Sequence, residues 1–208
     1  MAKYTGPACR QCRREGCKMF LKGDRCYTGK CAIEKRNQIP GQHAQGRKNV
    51  KEYGLQLREK QKAKRYYGIL ETQFRNYFKK AEKREGMTGD NLLILIERRF
   101  DNVIYRAGFA ESRRDARQLV LHGHFTLNGK KANIPSMTLS AGDVVALKAS
   151  SRDLPKFKAV AESIEGKSSV KWLDVNKENL TATITALPAR GDIDFEIQDN
   201  LIVELYSK

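Results

Sequence analysis

Five cysteines fall near the start of a 208-residue chain: Cys9, Cys12, Cys17, Cys26 and Cys31. Cys9 and Cys12 form a C-x-x-C pair, and Cys26 and Cys31 form a second close pair in CYTGKC, with a basic loop between them. Thiolates spaced this closely can bend onto one ion, and two such pairs supply the four ligands of a tetrahedral structural zinc site. Cys17 stands outside both pairs and could replace Cys12 or Cys26 or remain a free thiol. Two other readings of the cysteines stay open: reduced thiols without an ion, and an iron–sulfur cluster held by four thiolates. The odd count argues against a disulfide framework. The three histidines, His43, His122 and His124, form no evident triad with a serine or cysteine. His43 is a ligand by type, a contact to phosphate or base, or a solvated loop residue.

The segment that must position the thiols cannot fold on apolar burial alone. Residues 1–50 are rich in Gly, Pro, Lys, Arg and Cys and show no sustained period of 3.6 or 2, so an ion would stand in for a core. From Leu55 to Glu85 the pattern is helical, with Gly68 as a break. Leu55, Leu57 and Tyr66 supply the apolar positions of the first helix; Ile69, Leu70, Phe74, Tyr77 and Phe78 form a 3-4 stripe on the second. The cations Arg58, Lys60, Lys62, Lys64, Arg65, Arg75, Lys79 and Lys80 have few acids beside them, and we read them as facing phosphate. A further helix is expected over NLLILIERRFDNVIYRAGF, with Arg98, Arg99 and Arg106 on it.

Residues 99–148 read as helix, helix, hairpin and strand. Ser112 with Asp115 resembles a capping box, Gly123 is a helix stop, and Asn128-Gly129 between alternating apolar residues signals a hairpin. Ala116, Leu119 and Val120 share a helical face, which leaves Arg113, Arg114 and Arg117 to face outward as donors to an anion. Cations in a first helical turn oppose the helix dipole, so they are poorly explained as stabilisers. Beyond Pro135 a helix is expected over Lys156–Ile164 and strands over Trp172–Val175 and Leu180–Leu187. Asn200–Tyr206 reads as a strand or an apolar tail packed on an earlier domain.

Charge narrows the class of partner. The chain holds 40 Lys and Arg against 24 Asp and Glu, a net +16. Residues 1–85 hold 23 and 8 of these, a balance of +15, whereas residues 90–150 reach only +3 and residues 151–208 are at −2. Such a balance points to nucleic acid; a membrane surface is the rival, but no long apolar run exists to insert. The N-terminus lacks a signal-peptide core, so a cytosolic protein is expected.

Several blocks in order carry a resemblance: GPACRQCRREG at Gly6–Gly16, PGQH at Pro40–His43, LREKQK at Leu57–Lys62, TQFRNYF at Thr72–Phe78, RFDNVIYRAGFAESRRDARQLVLHGH at Arg99–His124, LNG at Leu127–Gly129 and LIVELYSK at the end. With them the chain resembles the S-four family of bacterial small-subunit ribosomal proteins along nearly its whole length. The block Arg99–Ile134 is similar to the RNA-binding module named after that family.

The resemblance implies direct binding to 16S ribosomal RNA early in assembly, at a junction of helices in the 5′ domain. It also implies a place near the channel through which mRNA enters, beside ribosomal proteins S-five and S-twelve, with an influence on decoding accuracy. Some members repress their own operon. Arg47 and Lys48 match residues that handle incoming mRNA, and Cys9, Cys12, Cys26 and Cys31 match the zinc ligands of cysteine-bearing members. Many members lack the cysteines, and Cys17 departs from the pattern.

The expected fold is α+β. A mainly helical N-terminal domain bears a cysteine-rich, metal-bound arm, and a small helix–helix–hairpin module follows. The expected boundaries are 1–45 for the arm, 46–98 for the helical domain completed by 170–208, and 99–165 for the module. RNA contacts are expected at Arg13, Arg14, Lys35, Arg36, His43, Arg47, Lys48, Arg58, Lys62, Arg65 and Arg75. On the module they are expected at Arg99, Ser112, Arg113, Arg114, Arg117, Gln118, His122, Lys130 and Lys131. Two other classes weigh less. An RNA-modifying enzyme needs a catalytic domain that residues 151–208 are too short to supply. A zinc-finger DNA-binding protein needs a helix placed to enter a major groove.

Overall fold

Helix ends fall where backbone chemistry forces them in the computed structural model, which describes residues 3–42, 51–164 and 170–207. In chain order come α1 (Ala8–Glu15), α2 (Ala32–Lys35), α3 (Glu52–Tyr66), α4 (Glu71–Glu82), α5 (Thr88–Glu97), α6 (Phe100–Arg106) and α7 (Arg113–Leu121). They are followed by β1 (Phe125–Leu127), β2 (Lys130–Lys131), β3 (Val144–Leu147), α8 (Pro155–Ile164), β4 (Leu173–Asn176), β5 (Thr181–Ile184) and α9 (Asp199–Ser207). The α+β reading of the sequence holds. The chain divides into one unit of residues 1–92 with 195–208 and a second of residues 93–194.

The first unit is helical. Gly68 takes φ +66° between α3 and α4, a left-handed turn that other residues adopt at a cost. Phe74, Tyr77, Phe78 and Ala81 are buried on α4, as the 3-4 stripe predicts. On α3 the expectation holds at Tyr66 and fails at Leu55, which is 51% exposed; the buried set is Gln56, Lys60, Ala63 and Tyr66. Long polar side chains bury their stems there while their heads reach carboxylates, Gln56 to Glu52 at 3.1 Å and Lys60 to Glu71 at 2.8 Å.

The C-terminal segment, expected as a strand or tail, is the helix α9. It packs on α3, and Ile202 is fully buried. Phe195, just ahead of it, stacks on Tyr66 with centroids 3.9 Å apart, and Tyr206 sits 4.7 Å from Phe78. The β-branched pair Ile202-Val203 suggested extended chain, but tertiary packing on α3 overrides that local preference.

The second unit packs helices on a five-stranded antiparallel sheet ordered β2-β1-β3-β5-β4. Phe100, Val103, Ile104, Val120, Phe125, Val145, Phe157, Trp172 and Ile184 belong to one apolar core. Asn128 (φ +49°) and Gly129 (φ +78°) make the expected tight turn between β1 and β2. The single helix expected over residues 91–109 is two. At Arg98 and Arg99 the backbone leaves the helix for strand-like pairing: the Leu139 N–H donates to Arg98 O, and the Phe100 N–H donates to Met137 O. Residues 173–184 supply β4 and β5 to this sheet, so of the stretch 170–208 only 195–208 joins the helical unit. No helix among the described residues is long and apolar enough to cross a membrane.

Candidate nucleic-acid interface

The second unit holds a buried ionic network that changes how its arginines are read. Arg99, only 1% exposed, meets Asp101 through two hydrogen bonds of 2.7 and 3.0 Å. Arg117 reaches the same carboxylate at 3.2 Å. Glu97 is buried against Arg106 at 2.7 Å, and Arg106 also meets Asp194 at 2.8 Å. Asn102 donates to Glu97 O at 2.9 Å and accepts from Arg113 Nε at 2.7 Å, while the Arg113 guanidinium lies 4.4 Å from the Tyr105 ring centre. Removing one partner from such a set leaves a buried charge without compensation, so these groups hold one another in place.

The outward orientation expected of Arg113 and Arg117 is therefore corrected, and Arg99 is corrected with them. Arg113, Ala116, Arg117 and Val120 follow one another at spacings of three, one and three on the inward face of α7. Their stems pack with the core, and Asp101 and Asn102 of α6 receive their heads. Ser112 also serves the fold: its Oγ accepts the Asp115 N–H at 3.3 Å as the helix cap.

What remains outward forms a coherent strip. Gln118 and His122 are exposed and Arg114 is half-buried, at four-residue spacing along α7 and its cap. Lys130 and Lys131 are exposed on β2. The stem of Lys131 passes beside Gly123, since a Cβ built on that glycine would stand 3.1 Å from Lys131 Cε. The hairpin lysine thus extends the strip that begins on α7. His124 turns its Nδ1 to the buried Ser151 Oγ at 3.0 Å instead, and burial, with His122, Lys156 and Lys148 nearby, lowers its pKa.

In the first unit, acids distant in sequence neutralise part of α3. Glu15 of α1 meets both Arg58 (3.1 Å) and Arg65, and burial raises its pKa against the pull of those two cations. Glu71 meets Lys60 and Lys64 at 2.8 and 2.9 Å and accepts the Tyr206 hydroxyl at 2.9 Å. Burial alone would raise the Glu71 pKa, but these three donors outweigh it and hold it at about 2. Lys62 pairs with Glu59 at 3.1 Å. So all five cations of α3 read as facing phosphate, Arg58, Lys60, Lys62, Lys64 and Arg65, each meet a carboxylate of this chain. On α4, Arg75, Lys79 and Lys80 are exposed and keep their charge outward.

In the arm, Lys35 and Arg36 are exposed and Arg13 and Arg14 are half-buried. Arg10, Arg25 and Lys30, outside the expected RNA contacts, are exposed in the same arm. Each adjoins a cysteine of the two pairs, in Cys9-Arg10, Arg25-Cys26 and Lys30-Cys31. His43, Arg47 and Lys48 lie outside the described residues.

The thiols are gathered. Cys12, Cys26 and Cys31 are buried and Cys9 is half-buried. Burial pushes Cys12 up to about 11, with a further push from the charges of Cys26, Cys9 and Cys17, and Cys26 in turn feels Cys31 and Cys9. Yet among the described residues no three His, Cys, Asp or Glu side chains stand in an arrangement that could hold a metal ion.

Comparison with known proteins gives this arrangement a family. Residues 3–97 match the Ribosomal protein S4/S9 N-terminal domain, and residues 98–145 match the S4 domain. The chain is 62% identical to Small ribosomal subunit protein uS4 of Clostridioides difficile and 60% identical to that of Heliobacterium modesticaldum. It is also 62% identical to uS4A of Alkaliphilus oremlandii, and each comparison covers the whole of both chains. These relatives are structural proteins of the small ribosomal subunit and not enzymes. With such identity sustained from end to end, the chain belongs to the uS4 family of small ribosomal subunit proteins.

Proposed function

We propose that this chain is a non-catalytic constituent of the cytoplasmic small ribosomal subunit that binds 16S ribosomal RNA directly. Its binding nucleates assembly of the subunit body. One observation carries the reading. Glu15, Glu97 and Asp101 are spent on internal ion pairs, while Arg75, Lys79, Lys80, Lys130 and Lys131 stand exposed. These exposed cations, with the net charge of +16, give the surface a positive field that suits a polyanion partner. Family membership supports ribosomal RNA as that polyanion. The reading extends to a place beside the path of incoming mRNA, next to ribosomal proteins S-five and S-twelve, and to a contribution to decoding accuracy, with the resemblance to the family as its support.

The test is chemical footprinting on protein-free 16S RNA. Protection confined to a junction of helices is the expected result, and diffuse protection over the whole RNA would sink the reading. We further propose a structural zinc ion on Cys9, Cys12, Cys26 and Cys31, which would replace the core the arm lacks. Its support is the spacing of the two close cysteine pairs and the burial of Cys12, Cys26 and Cys31. Elemental analysis of purified protein should find one zinc per chain, absent from a Cys12→Ser variant; metal-free wild-type protein that keeps its arm protected from proteolysis would remove the ion from this account.

A further inference from the structure

Of the asparagines in the chain, only Asn128 precedes a glycine, and the pair forms the exposed turn between β1 and β2. Asparagine suits the place because it tolerates a φ of +49° and its side chain reaches β3. The same choice brings a chemical liability. Glycine has no side chain to shield its backbone nitrogen, and a Cβ built on Gly129 would meet nothing within 4 Å. That nitrogen, once it gives its proton to hydroxide, can attack the Cγ of the preceding asparagine. The N–Cγ bond forms, the Cγ–Nδ2 bond breaks, and Nδ2 takes a proton from water and leaves as ammonia. Water then opens the succinimide ring. Cleavage between the ring nitrogen and Cγ gives aspartate; cleavage on the other side of that nitrogen gives isoaspartate, with the chain routed through Cβ and Cγ.

The fold stands in the way of the first step. Asn128 Nδ2 donates to Asp143 Oδ1 at 2.9 Å, and Asn128 Oδ1 accepts the Val144 N–H at 2.8 Å. Both polar atoms of the amide are therefore tied to the start of β3. The backbone is tied there too, since the Asn128 N–H donates to Val144 O at 2.9 Å. Asp143 is itself fixed, because its other oxygen accepts the Ser140 N–H at 2.7 Å. Swinging Cγ onto the Gly129 nitrogen must break both side-chain bonds. We propose that Asn128 is a masked deamidation site: Asp143 and Val144 protect it while the hairpin is closed on β3, and opening of the hairpin exposes it to conversion. The product cannot be masked again. A new carboxylate at this position loses the donor to Asp143 and faces the Asp143 carboxylate across the span of a former hydrogen bond, where like charges repel. Conversion thus records the time a chain has spent open, and it keeps an opened hairpin open.

Incubation of the full chain at mildly alkaline pH, beside a synthetic peptide of residues 124–133, tests this. Conversion is read by mass spectrometry of proteolytic fragments, and isoaspartate by an isoaspartyl methyltransferase. The folded chain should convert at least about tenfold more slowly than the peptide, and in urea it should match the peptide. Asp143→Ala should convert at least about threefold faster than wild type. Asp153→Ala, which removes an exposed carboxylate elsewhere, should convert at the wild-type rate. Asn128→Asp reproduces one product and should raise hydrogen exchange at the amides of residue 128 and Val144 at least about tenfold, with circular dichroism unchanged. A folded chain that converts as fast as the peptide would overturn the mask. So would an Asp143→Ala variant of native circular dichroism that converts as slowly as wild type; the comparison in urea stands whether or not that variant folds. Unchanged exchange in Asn128→Asp would overturn the one-way step.

Discussion

An arginine near the start of α7 serves the fold or the ligand according to which side of the helix it takes, and residue type alone does not say which. Arg113 and Arg117 face Asn102 and Asp101, whereas Arg114 lies on the same side as Gln118 and His122. The two groups should separate in experiment. Glu97→Ala removes the buried partner of Arg106, leaving it the exposed Asp194 alone, and should destabilise the protein by about 3–5 kcal/mol, read from urea denaturation. Against a total stability of about 5–15 kcal/mol, that is a large share. Lys130→Ala and Lys131→Ala sit on an exposed strand and should leave the denaturation midpoint unchanged. Each should instead lower the slope of log affinity for 16S RNA against log salt by about one unit. A lysine variant that lowers the denaturation midpoint but keeps the full slope would refute the division.

At the scale of elements, the long-range carboxylates decide how α3, α4 and α9 stay together. Glu71 accepts from Lys60, Lys64 and Tyr206, joining three helices at one side chain. Its pKa in the folded chain is about 2, below the usual 4.5. A depressed carboxylate contributes stability that is fully present above pH 4.5 and is lost as pH falls toward 2. Glu15 works in the opposite sense, because its pKa is raised and its protonation favours the folded state. The difference between wild type and Glu71→Gln isolates the first effect: their stabilities should converge as pH drops from 4.5 to 2, followed by circular dichroism. Curves that stay parallel over that range would remove Glu71 as the fastening point. Tyr206→Phe, which deletes only the hydroxyl, should cost about 1 kcal/mol at neutral pH.

For the whole molecule, the net charge of +16 leaves an excess of cations at the surface, while the buried carboxylates of Glu97 and Asp101 are paired internally. Affinity for 16S RNA should therefore fall steeply as salt rises, while circular dichroism over the same salt range stays unchanged because the buried pairs are shielded from ions. Affinity that ignores salt would contradict a phosphate-binding surface. Much of the organisation was legible in the sequence. The break at Gly68, the cap at Ser112, the Asn128-Gly129 turn and the aromatic stripe of α4 all rest on local chemistry, and all are present. What was not legible depends on partners far along the chain. Arg58 meets a carboxylate 43 residues earlier, and Arg117 one 16 residues earlier, so periodicity could not tell an inward cation from an outward one. The helix α9 was misread for the same reason, since its partner α3 lies far upstream.

The helical unit is built from both ends of the chain, with residues 195–208 closing what residues 1–92 begin. Synthesis runs from the N-terminus, so the sheet-bearing unit, though second in sequence, has all of its residues first. The most basic part of the molecule waits with Tyr66 and Phe78 unstacked until the last fourteen residues clear the synthesising ribosome. A newly made copy thus offers its cations to any nearby RNA before its own C-terminal helix has docked.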